Sequence, residues 1–179
     1  QAFIDHRAKY REITSQRYKA TTAMYDEVSV VLAPLAHPVS LRKGEFLQRI
    51  GTIAQHLHWL HSGVARTGFI TETGAEVTLH FVTDGEPAAS HDDLLRARDG
   101  LPAQHFVVAE TAVHGFKLDW AAYSAMRETN SLLRDYYLKV SECSIMEQAR
   151  RMCVNAAPAQ GRLAAFRREY PGLEQRISQ

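Results

Sequence analysis

The sequence predicts an α+β protein: a β-roll of the jelly-roll kind with helices before it and a long helix after it. Three observations predict this. Apolar residues recur at helical spacing up to about residue 38. Short strand-length apolar stretches then alternate with glycine turns from 39 to 118. Helical spacing returns from Asp119 onward.

The first region, 1–38, carries Phe3, Ile4, Tyr10 and Ile13, then Met24, Val28, Val31, Leu32 and Leu35. Thr21 or Thr22 is placed to cap the second helix, and Pro34 and Pro38 end it. The second region, 39–118, opens with Val39–Leu41, a turn at Lys43–Glu45, and Phe46–Ile50 closed by Gly51. His56–His61 alternates, and Ser62 with Gly63 turns it into Val64–Thr71. Gly74 turns the chain again into Ala75–Val82, with Val77, Leu79 and Phe81 on one face and Glu76, Thr78 and His80 on the other. Asp84–Pro87 breaks the pattern, Ser90–Gly100 is a short helix or a loop, and Gln104–Ala109 and Ala112–Leu118 are the last strands. Even strand spacing with glycine turns is the pattern of a closed or rolled antiparallel sheet.

In the third region, 119–157, Asp119 is an N-cap for Trp120, Tyr123 and Met126. Asn130 and Ser131 mark a kink, and a long helix follows from Leu132 to about Ala157. The last region, 158–179, is a helix from Pro158 to Tyr170, stopped by Pro171 and Gly172. Leu133, Tyr136, Tyr137 and Val140 form an apolar seam on the long helix, predicted to pair with a second copy because one small roll cannot cover so long a helix.

The 179 residues carry a formal charge of +1, so no global field points to nucleic acid or to a membrane. No apolar run approaches the roughly 18 residues of a membrane span. The only cysteines, Cys143 and Cys153, are too few for a disulfide scaffold and suit a reducing cytoplasm. Arg150, Arg151, Arg162, Arg167 and Arg168 read first as a solvated helix face. Asp92, Asp93, Glu110, Glu142 and Glu147 have no partners at catalytic spacing, and no nucleophile elbow, P-loop or dinucleotide fingerprint occurs, so an enzyme is not expected. Trp59 and Trp120 read as core or roll–helix junction residues.

The order of roll, long helix and short basic helix resembles the Crp/Fnr family of bacterial transcription regulators. The resemblance runs from about Tyr25 to Gln179. It rests on Leu41 followed by Gly44-Glu45 and Gly51, on His58 to Arg66 with its Ser62-Gly63 turn, and on Glu72 to Glu76. Phe81 to Glu86, and the exit Tyr170-Pro171 with Leu173 and Arg176-Ile177, complete it. It implies a cytoplasmic homodimer whose roll holds an effector, and places the start of a winged-helix DNA-binding domain at 158–179. The recognition helix would follow Gln179, so DNA would be read through a domain that this chain does not contain.

Two departures follow from that resemblance. Cyclic-nucleotide binders of the family hold the ribose with a glycine-glutamate pair and the phosphate with an arginine-serine pair and a helix N-terminus. Here Ala89 and Ser90 stand at the first pair, and Ala103 and Gln104 at the second. The expected effector pocket is therefore Glu86, Ala89, Ser90, Arg96, Arg98, Ala103 and Gln104, with ordinary cyclic AMP binding not expected and the effector unknown. The family's iron–sulfur sensors use a cysteine cluster near the N-terminus, and none is present.

The alternatives are a cupin-like metal-binding enzyme and a ligand-free dimeric protein-interaction module. The first rests on His56 and His58 sharing a strand face, with His80 or His105 as a third ligand. Gly51 lies one residue short of cupin spacing, and no glutamate follows, so a polar strand face is the simpler account and no metal is expected.

Overall fold

The protein is described by a computed structural model covering residues 1–9 and 24–177. Tyr10, Ile13 and the capping threonines Thr21 and Thr22 lie outside the described residues. Among the described residues, helices α1 (Ala2–Lys9) and α2 (Tyr25–Leu32) precede a 3₁₀ turn at Ala33–Leu35. Met24 sits at the N-cap position of α2 without a side-chain capping bond. Pro34 lies in the 3₁₀ turn, whereas Pro38 is already inside the first strand.

Eight strands make the roll: β1 (Ala36–Leu41), β2 (Phe46–Gln48), β3 (His56–Ser62), β4 (Ala65–Ile70), β5 (Glu76–Val82), β6 (Pro87–Ala88), β7 (Phe106–Ala109) and β8 (Val113–Asp119). They form two four-stranded antiparallel sheets, in the orders β1-β8-β3-β6 and β2-β7-β4-β5. Helix α3 (His91–Arg98) fills the stretch between β6 and β7. The fold is thus α+β with a β-roll, as the spacing predicts.

Glycine is required where the backbones come closest. A Cβ on Gly115, in β8, would stand 2.0 Å from the Trp59 carbonyl oxygen of β3. Gly63 turns β3 into β4 at φ 115°, where a Cβ would also strike the Ala112 carbonyl.

Two sequence expectations are corrected here. Asn130 does not kink a continuous helix. Its extended backbone (φ −114°, ψ 111°) separates α4 (Trp120–Thr129) from α5 (Ser131–Asn155), and its side chain caps α5 by accepting from Leu133 N–H. Strand β5 does not alternate throughout. Thr67 pairs with His80 and Gly68 with Thr78, so Leu79 is a bulge residue. The bulge shifts the side-chain phase, and His80 turns to the same cavity that Leu79 lines.

The main core lies between the roll and the helices. It joins Phe3, Val28 and Leu32 to Trp59, Leu118, Trp120, Leu133 and Tyr136. Phe3 meets Trp59 edge-on with ring centroids 5.7 Å apart. A second cluster inside the roll contains Leu60, Val82, Val107 and Val113. A third holds Val64 with Tyr170 and Leu173, and it docks α6 (Ala159–Glu169) and α7 (Leu173–Ile177) on the roll.

The seam predicted for dimer pairing is largely spent inside the molecule. Leu133 and Tyr136 are buried in the core, and Tyr137 and Val140 pack against it. The N-terminal half of α5 lies on its own roll, and its burial there is what the seam provides. The large apolar side chains that α5 leaves exposed are Leu138, Ile145, Met146 and Met152.

Candidate functional site

A cavity of about 520 Å³ lies between the roll and α5. The roll contributes Leu57 and Trp59 of β3, Thr67 of β4, and Leu79 and His80 of β5. Pro87, Ala89, Ser90 and the first turn of α3 form the next wall, with His105 beside them. Helices α4 and α5 cover it with Trp120, Tyr123, Tyr136, Tyr137 and Val140, and further along with Glu147 and Arg151. Trp120 and Tyr123 stack at 5.3 Å, and Tyr137 stacks on His91 at 5.4 Å, giving the cavity an aromatic wall.

The polar end is organised by Asp93, which is fully buried. Its Oδ1 accepts from Gln104 N–H at 2.8 Å. Its Oδ2 accepts from Gln48 Nε2 at 2.7 Å, from His105 N–H at 3.0 Å and lies 3.1 Å from His105 Nδ1. Ser90 Oγ is also 3.1 Å from that nitrogen, and it caps α3 by accepting from Asp93 N–H. Burial pushes the Asp93 carboxyl upward, but the hydrogen bonds from His105 and Gln104 outweigh it and hold the group below its ordinary value. The bond to Asp93 raises His105 against the opposing effect of burial. Three protein donors and an imidazole thus hold a carboxylate that tethers the β7 approach to α3.

Thr67 is different. It is 1% exposed, it lines the cavity, and its Oγ1 has no hydrogen-bond partner among the described residues. It pairs with His80 on β5 and with Val107 on β7, so it stands on the sheet face next to both.

The sequence-predicted pocket residues divide. Ala89 and Ser90 line the cavity. Glu86 is buried but turned back on its own loop, accepting from Thr83 N–H at 2.8 Å. Arg96 donates to the Pro102 carbonyl and Arg98 pairs with Asp99, both away from the cavity. Ala103 is buried in a backbone pair with Gly51 and Thr52, and Gln104 contributes its amide to Asp93 while its side chain is exposed. No arginine or lysine of the roll lines the cavity among the described residues. Arg151 of α5 does, in an ion pair with Glu147 at 3.1 Å.

The histidine strand gathers no ligand set. His56 and His58 lie 5.9 Å apart, and no third histidine, cysteine or carboxylate joins them among the described residues. Burial pushes His58 down to about 4, so it stays neutral near pH 7. The described residues that do converge at metal-ligand distance are Asp92, Asp93 and His105. Both Asp93 oxygens already accept protein hydrogen bonds, which fits a structural tether better than a metal ligand. Cys143 is half-buried and Cys153 exposed, both as free thiols.

The cavity wall is tied to the C-terminal helices. Glu147 is held down to about 2, first by the hydrogen bond from Arg150, and Arg150 reaches Glu169 of α6 at 2.8 Å. On β5, Phe81 follows His80 directly and packs against Phe166 and Tyr170. Arg176 of α7 bonds Asp84 at 2.9 Å, beyond the end of β5.

No protein-family model and no curated protein matches the sequence. Solved structures do match. The catabolite activator protein of Thermus thermophilus is 20% identical over 73% of this chain and 59% of its own length, with a TM-score of 0.59. FixK2 from Bradyrhizobium japonicum is 14% identical over 75% of this chain and 65% of its own, at 0.61. The fold is that of a Crp/Fnr-like cyclic-nucleotide-binding domain. A regulatory subunit of a cAMP-independent protein kinase A from Trypanosoma brucei shares it, at 16% identity over 83% of this chain and 53% of its own, with a TM-score of 0.57. The chain spans about three-fifths of the first structures it matches. Within this cyclic-nucleotide-binding fold, sequence reasoning missed Thr67, His80, His105, Glu147 and Arg151 as cavity residues. Asp93 and His105 are brought together only by the loop at 99–104, and nothing local marks that pairing.

No helix among the described residues is long and apolar enough to cross a membrane.

Proposed function

We propose that the chain is the effector-sensing and dimerisation portion of a Crp/Fnr-type transcription regulator, with an effector other than an ordinary cyclic nucleotide. The observation that carries this reading is the roofed cavity itself. It has the size of a small-molecule site and an aromatic lid, yet no roll arginine to receive a phosphate.

In this reading the ligand acts by population shift. The same helix α5 covers the cavity and carries the Glu147–Arg150–Glu169 link to α6, so occupancy biases the start of the DNA-binding domain. Pairing of two copies falls to the exposed face with Leu138 and Ile145, spaced seven residues apart on α5. DNA is then read by a domain C-terminal to this chain.

The test is calorimetric titration of purified protein with cyclic AMP. No saturable isotherm is expected in the micromolar range. A micromolar isotherm would overturn the assignment of a different effector.

A further inference from the structure

We propose that the cavity binds an uncharged hydroxy-aromatic molecule, with its hydroxyl between Thr67 and His105 and its ring on the tryptophan–tyrosine wall. This rests on the reading of the cavity as an effector site. It goes further by naming the ligand's chemistry.

The polar end sets the first requirement. Thr67 lines the cavity, and its Oγ1 is buried and unpartnered among the described residues. Leaving a buried hydroxyl unpaired is costly, and a ligand atom there would relieve the cost. His105 Nδ1 is committed to Asp93 and Ser90, which leaves Nε2 as the ring nitrogen for a ligand. A hydroxyl is the small group that serves a threonine hydroxyl and an imidazole together, because it donates and accepts through one oxygen.

Charge sets the second. Asp93 is balanced by His105, and Glu147 with Glu169 by Arg150 and Arg151. Asp92, exposed in the first turn of α3, adds a further carboxylate at the cavity edge. An anionic ligand therefore meets no uncompensated cation and one extra anion at the cavity edge.

Shape sets the third. Trp59, Trp120, Tyr123, Tyr136 and Tyr137 all line the cavity. The volume of about 520 Å³ exceeds the roughly 150 Å³ that holds one benzene. A two-ring body fits that space.

The probes are 2-naphthol, naphthalene, 2-naphthoate and cyclic AMP, titrated by calorimetry into wild type, Thr67→Val and Thr67→Ser. In wild type, 2-naphthol is expected to bind tightest, about tenfold tighter than naphthalene. Thr67→Val should weaken 2-naphthol about tenfold while leaving naphthalene unchanged, and Thr67→Ser should restore it. Without ligand, Thr67→Val should melt above wild type, because the unpaired hydroxyl is gone. Naphthoate or cyclic AMP binding as tightly as 2-naphthol would overturn the hydroxy-aromatic class and leave a sensing cavity standing. Equal 2-naphthol affinity in wild type and Thr67→Val would overturn the placement of the hydroxyl. No saturable binding of any probe would overturn both this proposal and the effector reading.

Discussion

Asp93→Ala is expected to destabilise the protein by about 3 kcal/mol, the scale for removing one partner of a buried hydrogen-bonded charge pair. Asp93 is fully buried and gathers Gln48, the Gln104 and His105 amides, and the His105 ring. Its loss leaves those buried donors unsatisfied. Denaturant melts across pH give the sign. His105 is raised in the folded state, so its contribution is complete below its ordinary value of 6.5 and is lost as pH rises through the higher folded value. Asp93 is lowered, so its contribution is complete above 3.8 and is lost as pH falls through the lower folded value. The gap between wild type and Asp93→Ala should therefore be widest between about pH 4 and 6.5, and narrow on both sides. A gap that does not narrow below about pH 4 or above about pH 6.5 would show that the pair is not an ion pair. Because the Asp93 carboxylate holds His105 at the cavity, the same variant should also weaken 2-naphthol.

Leu133→Ala is expected to cost about 2–5 kcal/mol, the range for a fully buried leucine truncated to alanine. Leu133 is 0% exposed in the core that fixes α5 to Phe3, Trp59 and Trp120. The effect should be visible beyond stability. The chain's two tryptophans, Trp59 and Trp120, both line the cavity, so their emission reports on its closure. A shift of that emission to longer wavelength under native conditions is expected, as water reaches the cavity. An unchanged spectrum with a stability loss below about 1 kcal/mol would show that α5 is not anchored through Leu133.

These two side chains also mark what the sequence discloses. The roll is legible because glycine turns and strand-length apolar runs are local signals, and the capping role of Asp119 is local too. The apolar stripe at Leu133 and Tyr136 is equally plain, but its partner is not. A helical stripe carries the same periodicity whether it meets a second copy or its own roll, and here the roll takes it. The bulge at Leu79 leaves no mark in the sequence, yet it decides that His80 faces the cavity. The resemblance points to Ala89 and Ser90, and both line the cavity where the loop enters α3. Arg96 and Arg98 lie on the segment between the two expected pairs, but helix α3 turns both outward. Thr67 carries no sequence signal at all. Its significance is an unmet hydrogen bond, which exists only once the neighbours are in place.

The central claim is that the space between the roll and α5 is where this protein meets its effector. Crystals soaked with 6-bromo-2-naphthol test it most directly, because anomalous scattering locates the bromine without prior assumption. The predicted result is one bromine site inside the cavity, among Trp120, Tyr136 and Val140, with the hydroxyl oxygen within hydrogen-bond distance of Thr67 Oγ1. Bromine found only on the exposed face of α5 around Leu138 and Ile145, with the cavity unoccupied at saturating ligand, would contradict the account.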